Sequence, residues 1–169
     1  KSLEPPLPVP VVYNSGGYEK LETLRKFEGK IDIYLPDMKY TDTELAGKYS
    51  SAPDYPETAK AAILEMYRQV GCYKINGGGI MERGVIIRHL VLPGALDNTK
   101  AVIDWVAGTF SPGQVLFSLM SQYTPAGDIK NFPELQRRIT QDEYDAAVEY
   151  LESSGIEDGF FQELSSAKE

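Results

Sequence analysis

The run Val85-Ile86-Ile87-Arg88-His89-Leu90-Val91-Leu92 constrains the fold more than any other part of the chain. It is apolar apart from Arg88 and His89, and unbroken apolarity is the pattern of a strand buried on both faces of a parallel sheet. Pro93-Gly94 ends it. Parallel neighbours cannot be joined by a tight hairpin, so crossover segments, most simply helices, must separate the strands.

The rest of the sequence supplies them. Val11-Val12-Tyr13 is a short β-rich run closed by Asn14-Ser15-Gly16-Gly17, after which Tyr18–Glu28 sets Leu21, Leu24 and Phe27 at helical spacing before Gly29. Ile31–Leu35 reads as a second strand, ended by Pro36-Asp37-Met38-Lys39-Tyr40. Thr41–Tyr55 is polar and turn-rich. Glu57–Val70 reads as a helix with Ala59, Ala62, Ile63, Met66 and Val70 on one apolar face, stopped by Gly71. Cys72–Ile75 and Ile80–Arg83 flank Asn76-Gly77-Gly78-Gly79, which predicts a β-hairpin over 72–84. A phosphate-cradling loop would need a helix after the glycines, and a β-like run follows instead.

Asp97 or Asn98 is expected to cap a helix reaching Phe110, with Val102, Ile103 and Val106 turned inward. Val115–Met120 is a fourth strand, and Thr140 with Glu143 forms a capping box opening a helix that runs to Ser154. Phe160-Phe161-Gln162 is a candidate further strand. The prolines of Leu3–Pro10 forbid a helix, so 1–10 is expected to be an extended lead-in segment that shields the first strand's edge.

Strands alternating with helices imply an α/β fold on a parallel sheet, with ligands outside the carboxyl ends of the strands. A complete eight-unit barrel takes roughly 250 residues, against 169 here. The chain therefore reads as one domain, either an open sheet or an incomplete β/α barrel.

Composition narrows the chemistry. With 42% hydrophobic and 25% charged residues the chain can bury a sizeable core. A net charge of -8 argues against nucleic acid and against a polybasic membrane contact. No apolar stretch approaches the roughly 20 residues that span a bilayer. With one cysteine, Cys72, and one histidine, His89, the chain alone builds no zinc or iron–sulfur site, so no metal ligands are assigned. A serine–histidine–acid triad would have to recruit His89 from within a strand, where packing is the simpler role. The lone cysteine and the absence of a signal-type start point to the cytoplasm.

The polar residues expected at the strand ends are Asn14 and Ser15, Asp37 and Lys39, Arg88, and Gln122 and Tyr123. Lys39 and Arg88 can pair with a carboxylate and Asp37 with an ammonium or hydroxyl, which suits a ligand carrying a carboxylate together with an amine or sugar. The competing reading is a structural ion pair between Asp37 and Arg88.

Several segments together resemble a known family. Val12-Tyr13-Asn14-Ser15-Gly16-Gly17-Tyr18-Glu19, Ile33-Tyr34-Leu35-Pro36-Asp37-Met38-Lys39-Tyr40, Tyr49-Ser50-Ser51-Ala52-Pro53-Asp54-Tyr55, the stretch from Arg83 to Gly94, and Ser118-Leu119-Met120-Ser121-Gln122-Tyr123 look like the later part of radical SAM proteins related to pyruvate formate-lyase activating enzyme. The resemblance runs along nearly the whole chain. It implies a partial β/α barrel of six units, of which the four strands here would be the third to sixth. The family's three-cysteine motif and its glycine-glycine-glutamate motif do not occur here.

The resemblance implies that an intact parent binds a 4Fe-4S cluster and S-adenosylmethionine (SAM), and cleaves SAM reductively to a 5′-deoxyadenosyl radical, with a glycyl-radical enzyme as a protein substrate. Asp37 and Lys39 match the family's acid-x-lysine pair near the bound methionine moiety, and Arg88 matches the arginine before the proline-glycine of the fifth strand. Asn14-Ser15 stand where activating enzymes often carry an acidic residue and threonine. Gln122-Tyr123 match the sixth-strand position that approaches the adenosyl group. The chain itself reads as a truncated, catalytically inert piece with no cofactor bound, and its start at Lys1 fits that reading.

The expected shape is an open parallel sheet of order 11–13, 31–35, 85–92, 115–120. Helices would lie on its outer face, and Asn14, Lys39, Arg88 and Gln122 would face the gap, with the first strand an edge through which copies could associate. Two other functions are carried alongside: a Schiff-base lyase using Lys39, and a non-enzymatic module docking a protein partner through its acidic surface.

Overall fold

The structure, a computed structural model, describes residues 8–161. The prolines at 5 and 6, and Gln162 of the C-terminal run, lie outside the described residues. Five strands are joined side by side and all parallel: β1 (Val12–Ser15), β2 (Ile33–Pro36), β4 (Met81–Leu90), β5 (Leu116–Met120) and β6 (Gly159–Phe161). The short strand β3 (Lys74–Ile75) runs antiparallel to the first half of β4, across the glycine-rich turn 76–79. Between the strands lie α1 (Leu21–Arg25), α2 (Thr43–Ser50), α3 (Tyr55–Val70), α4 (Leu96–Thr109) and α5 (Gln141–Ser153).

The spatial order of the parallel strands follows their order in the chain without reversal. A doubly wound sheet reverses at its switch point, whereas a barrel segment does not. Strand parity gives the second criterion. Tyr34, Val85, Ile87, Phe117 and Leu119 all belong to one core cluster with Ala59, Ala62, Ile63 and Met66 of α3, Val102, Ile103 and Val106 of α4, and Tyr144, Ala147 and Leu151 of α5. Alternate residues of a strand point to opposite faces, so every helix in this cluster packs on the same face of the sheet. The fold is an α/β incomplete barrel with its helices outside. Each fully buried side chain such as Ile63, Ile87 or Phe117 contributes about 1.5–3 kcal/mol through removal from water.

The opposite parity tells a different story from the sequence. Ile86, Arg88 and Leu90 on β4, and Leu116 and Met120 on β5, are only half-buried and lie outside the core cluster. The unbroken apolar run of β4 is thus sealed by helices on one face alone. Its other face is the inner wall of the open barrel.

Three local expectations are corrected. Thr41–Tyr55, read as turns, contains α2, because Asp42 Oδ1 accepts from the N–H groups of Glu44 and Leu45 and starts a helix there. The helix expected over Tyr18–Glu28 shrinks to Leu21–Arg25 and finishes in tight turns through Lys26 and Phe27. Neither Asp97 nor Asn98 caps α4. Ala95 holds that position, and the buried Asn98 side chain instead reaches the segment after β2. The capping box at Thr140 and Glu143 forms, and the C-terminal run pairs as β6.

Two buried polar groups contribute to the fold's acid sensitivity. His89 faces the helices, 1% exposed, with Nδ1 2.7 Å from Met38 O and Nε2 3.0 Å from Thr99 Oγ1. A carbonyl only accepts, so Nδ1 donates and Nε2 accepts from the Thr99 hydroxyl. Burial pushes the imidazole pKa down to about 4. Glu65, 7% exposed, accepts from Arg68 Nε and Nη2 and from Gln69 Nε2, each at 2.9 Å. These bonds, Arg68's first, hold its carboxyl at about 2. Gln69 also bonds Leu24 O and the Tyr34 hydroxyl, tying α3 to α1 and β2.

Both groups bind protons more weakly folded than unfolded, so their stabilisation is complete above the unfolded pKa values and falls with pH. His89 loses it between 6.5 and about 4, and Glu65 between 4.5 and about 2. Imidazole nitrogen shifts should show an Nδ1–H tautomer with no titration above pH 5, and unfolding free energies at pH 7, 5 and 3 should fall stepwise. A His89 that titrates at its unperturbed value contradicts this packing. Glu65→Gln should destabilise by about 1–2 kcal/mol at pH 7 and flatten the acid limb below pH 4.

Candidate functional site

β1, β2 and β4 end at the same edge of the sheet, and their parity sends Asn14, Asp37 and Arg88 to the open face. Asp37 and Arg88 face one another as a parallel bridge beyond the end of β2. Arg88 Nη2 donates to Asn14 Oδ1 at 2.7 Å and lies 2.6 Å from Asp37 Oδ1, while Lys39 Nζ bonds Asp37 Oδ2 at 2.8 Å. One carboxylate therefore sits between two cations, leaving the cluster with a net positive charge. The Arg88–Asp37 contact is close in distance but lacks hydrogen-bond geometry, so Asp37 Oδ1 and Arg88 Nε are buried without a hydrogen-bond partner. Buried polar atoms are paired almost everywhere in proteins, and here the ion pair at 2.6 Å supplies the partner of Asp37 Oδ1 without the angle of a hydrogen bond. Asn14 is exposed, and Lys39 has 44% of its side chain exposed.

The structural ion pair between Asp37 and Arg88 is thus real. The other sequence candidates separate. Ser15 turns to the helix side, where its hydroxyl donates to Glu19 Oε1 at 2.9 Å and accepts from Gly17 N–H at 3.0 Å, closing the turn after β1. Gln122 is exposed just past β5, with Nε2 3.9 Å from Met120 Sδ. Tyr123 donates its hydroxyl to Leu135 O at 2.8 Å, bracing the loop before α5. Four of the seven residues, Asn14, Asp37, Lys39 and Arg88, are brought into one contact network. Ser118 stands opposite Arg88 in the β4–β5 register on the same face.

The segment carrying Asp37 and Lys39 is held at successive backbone groups. Asp37 N–H donates to Ser15 O at 2.9 Å and Met38 N–H to Arg88 O at 2.8 Å. Met38 O accepts from His89, while Lys39 O and Thr41 N–H are taken by the Asn98 amide at 2.9 and 3.1 Å. Asp37 O and Lys39 N–H meet the hydroxyl of Tyr55, whose own ionisation burial pushes upward. Sequence reasoning did not assign Tyr55, Asn98 or Thr99 to this segment, since they lie 10 to 59 residues from the groups they hold. The proline-flanked Pro53-Asp54-Tyr55-Pro56 was the one available hint.

This arrangement, the strand ends of an incomplete barrel with paired cations at the open face, defines the class of protein by fold. The chain is 30% identical over 150 residues to an uncharacterized protein of Methanocaldococcus jannaschii, an alignment covering 88% of this chain and 40% of that protein. It thus spans about two fifths of the length of that curated relative. Among solved structures it is similar to a domain of pyruvate-formate lyase-activating enzyme from Bacteroides vulgatus, with a TM-score of 0.58, 14% identity and coverage of 88% of this chain and 79% of that one. At that identity the likeness is one of fold. No protein-family profile matches the sequence.

Gly17 has φ +80°, and a Cβ there would lie 2.2 Å from Asp37 O and 3.2 Å from the Tyr55 hydroxyl oxygen. Gly17→Ala should therefore cost more than about 2 kcal/mol in chemical denaturation, through backbone strain and displacement of Asp37. Gly29→Ala, at φ +74° with nothing within 4 Å, should cost only the backbone strain. Equal losses at the two positions would contradict the tight approach of Gly17 to Asp37.

Proposed function

We propose that the chain is the later part of a radical SAM-type barrel and that, in place of the expectation of no bound cofactor, Asp37, Lys39, Arg88 and Asn14 by themselves bind the amino-acid end of S-adenosylmethionine. The observation that carries this reading is the cluster at the ends of β1, β2 and β4, where Asn14 and a carboxylate held between two cations stand together on the open face with Lys39 exposed. A methionine moiety offers the complementary groups: its carboxylate to Lys39 and Arg88, its ammonium to Asp37 and the Asn14 amide oxygen. The likeness in fold to a domain of pyruvate-formate lyase-activating enzyme supports the same choice.

An iron–sulfur cluster does not fit this chain. Its one cysteine, Cys72, is exposed and precedes β3, at the opposite end of β4 from the cluster of charges. Any such group, and the reductive cleavage of SAM that the family resemblance implies, belongs to a larger protein, with a glycyl-radical enzyme as its proposed protein substrate. This chain's own part is to bind and orient. The half-exposed apolar inner wall and the β1 edge, where Val12 is 52% exposed, fit the same reading, with further βα units or a second copy covering them. The lyase alternative finds no support, because Lys39 is ion-paired in the open rather than desolvated in an apolar pocket.

SAM titrated into the labelled chain should move the amide signals of Asn14, Lys39 and Arg88 and leave those of the helix-facing core in place. Lys39→Ala should abolish these shifts while changing stability by less than about 1 kcal/mol. Anaerobic reconstitution should give no stoichiometric cluster on this chain. Undiminished SAM binding by the Lys39 variant, or a full cluster on the wild-type chain, would refute the assignment.

A further inference from the structure

The geometry points to Tyr55 as the positioning residue of the strand-end cluster, a role that rests on the ligand-binding reading above. Tyr55 opens α3 and is 3% exposed, so it has no access to a ligand on the open face. Its ring is stacked on Tyr18 with centroids 5.8 Å apart and lies edge-on to Tyr40 at 5.6 Å, which fixes where the hydroxyl can sit. That hydroxyl lies 2.9 Å from Gly16 O and 2.8 Å from Asp37 O, sharing its proton between them, and accepts the Lys39 N–H at 3.0 Å.

The three groups belong to two loops. Gly16 follows β1 and therefore follows Asn14, while Asp37 and Lys39 carry the salt bridge at the open face. A single oxygen thus fastens the backbones of both loops from the helix side. On the open side Arg88 spans the same gap, reaching Asn14 and Asp37 at 2.7 and 2.6 Å. Gly17 lets the loops close to this distance, since any side chain there would meet Asp37 O and Tyr55. Tyr55 sets the spacing of the Asn14 and Asp37–Lys39 groups, and through it the affinity for the ligand. The remaining pins come from Ser15 O at the end of β1, from β4 and from Asn98 of α4, and they hold the second loop without touching Gly16.

Tyr55→Phe keeps the packed ring and removes the oxygen. In the labelled chain titrated with SAM, it should weaken binding on the order of tenfold, as loss of a buried hydrogen-bonding group does. Since Tyr55 acts by setting the spacing between Asn14 and the Asp37–Lys39 pair, the double variant Tyr55→Phe/Asn14→Ala should bind no more weakly than the weaker single variant. The Lys39 amide should exchange faster in Tyr55→Phe, having lost its acceptor, while Ile87 and Phe117 keep their protection.

Wild-type affinity in Tyr55→Phe, or effects that add in the double variant, overturns the proposal. So does a general loss of protection, which marks a merely structural tyrosine. If the wild-type chain itself fails to bind SAM, the functional reading falls, and the exchange data still decide the positioning role. Selective loss at Lys39 supports it then, and an unchanged Lys39 amide rejects it.

Discussion

A buried loop must find partners for its own N–H and C=O groups, and segment 37–41 finds them in four different elements. β1 supplies Ser15 O, β4 supplies Arg88 O and His89, α3 supplies the Tyr55 hydroxyl, and α4 supplies Asn98. Met38, in the middle of this segment, is fully buried in the core. The charged side chains on either side of it, Asp37 and Lys39, are thereby presented on a backbone with almost no freedom. Long, solvent-facing lysines usually give little to an ion pair because ordering them costs entropy. Here that cost is reduced, because the backbone beneath the pair is already ordered by contacts on the opposite face.

The same division of labour runs across the sheet. Tyr34, Val85, Ile87, His89, Phe117 and Leu119 bind the strands to the helices, while Asn14, Asp37, Arg88 and Ser118 sit on the side that no helix of the described residues covers. His89 and Arg88 are neighbours in sequence and opposites in role. His89 is neutral, satisfied on both nitrogens and structural, whereas Arg88 is charged and half-buried, with Nε unbonded. The alternation of a strand delivers one residue to stability and the next to the site. Stability and chemistry are in this way separable, and substitutions on the open face can be read as effects on binding.

Much of the architecture was legible in local pattern. The apolar run at 85–92, the faces of Glu57–Val70 and the helix before Phe110, and the Thr140–Glu143 box each carry a physical signal within a few residues, and each formed. What local pattern missed was decided by competition. Asp42 capped a helix in a segment whose polarity suggested only turns, and Asn98, a plausible cap by type and position, was drawn to Lys39 O and Thr41 N–H instead.

The candidate site divides along the same line. By itself the sequence determined that parallel strands alternate with helices, and that Asn14, Asp37, Lys39 and Arg88 stand at strand ends, because period and turn chemistry act within a few residues. It also determined that one cysteine cannot hold an iron–sulfur cluster. Only the tertiary structure decided that Asp37 is clasped by both cations, that Ser15 and Tyr123 serve their own loops, and that Tyr55 fastens two strand ends together. Ser15 and Tyr123 find partners only 4 and 12 residues away, but the Tyr55 and Arg88 contacts join residues 16 to 74 positions apart, and such contacts exist only once β1, β2 and β4 lie side by side.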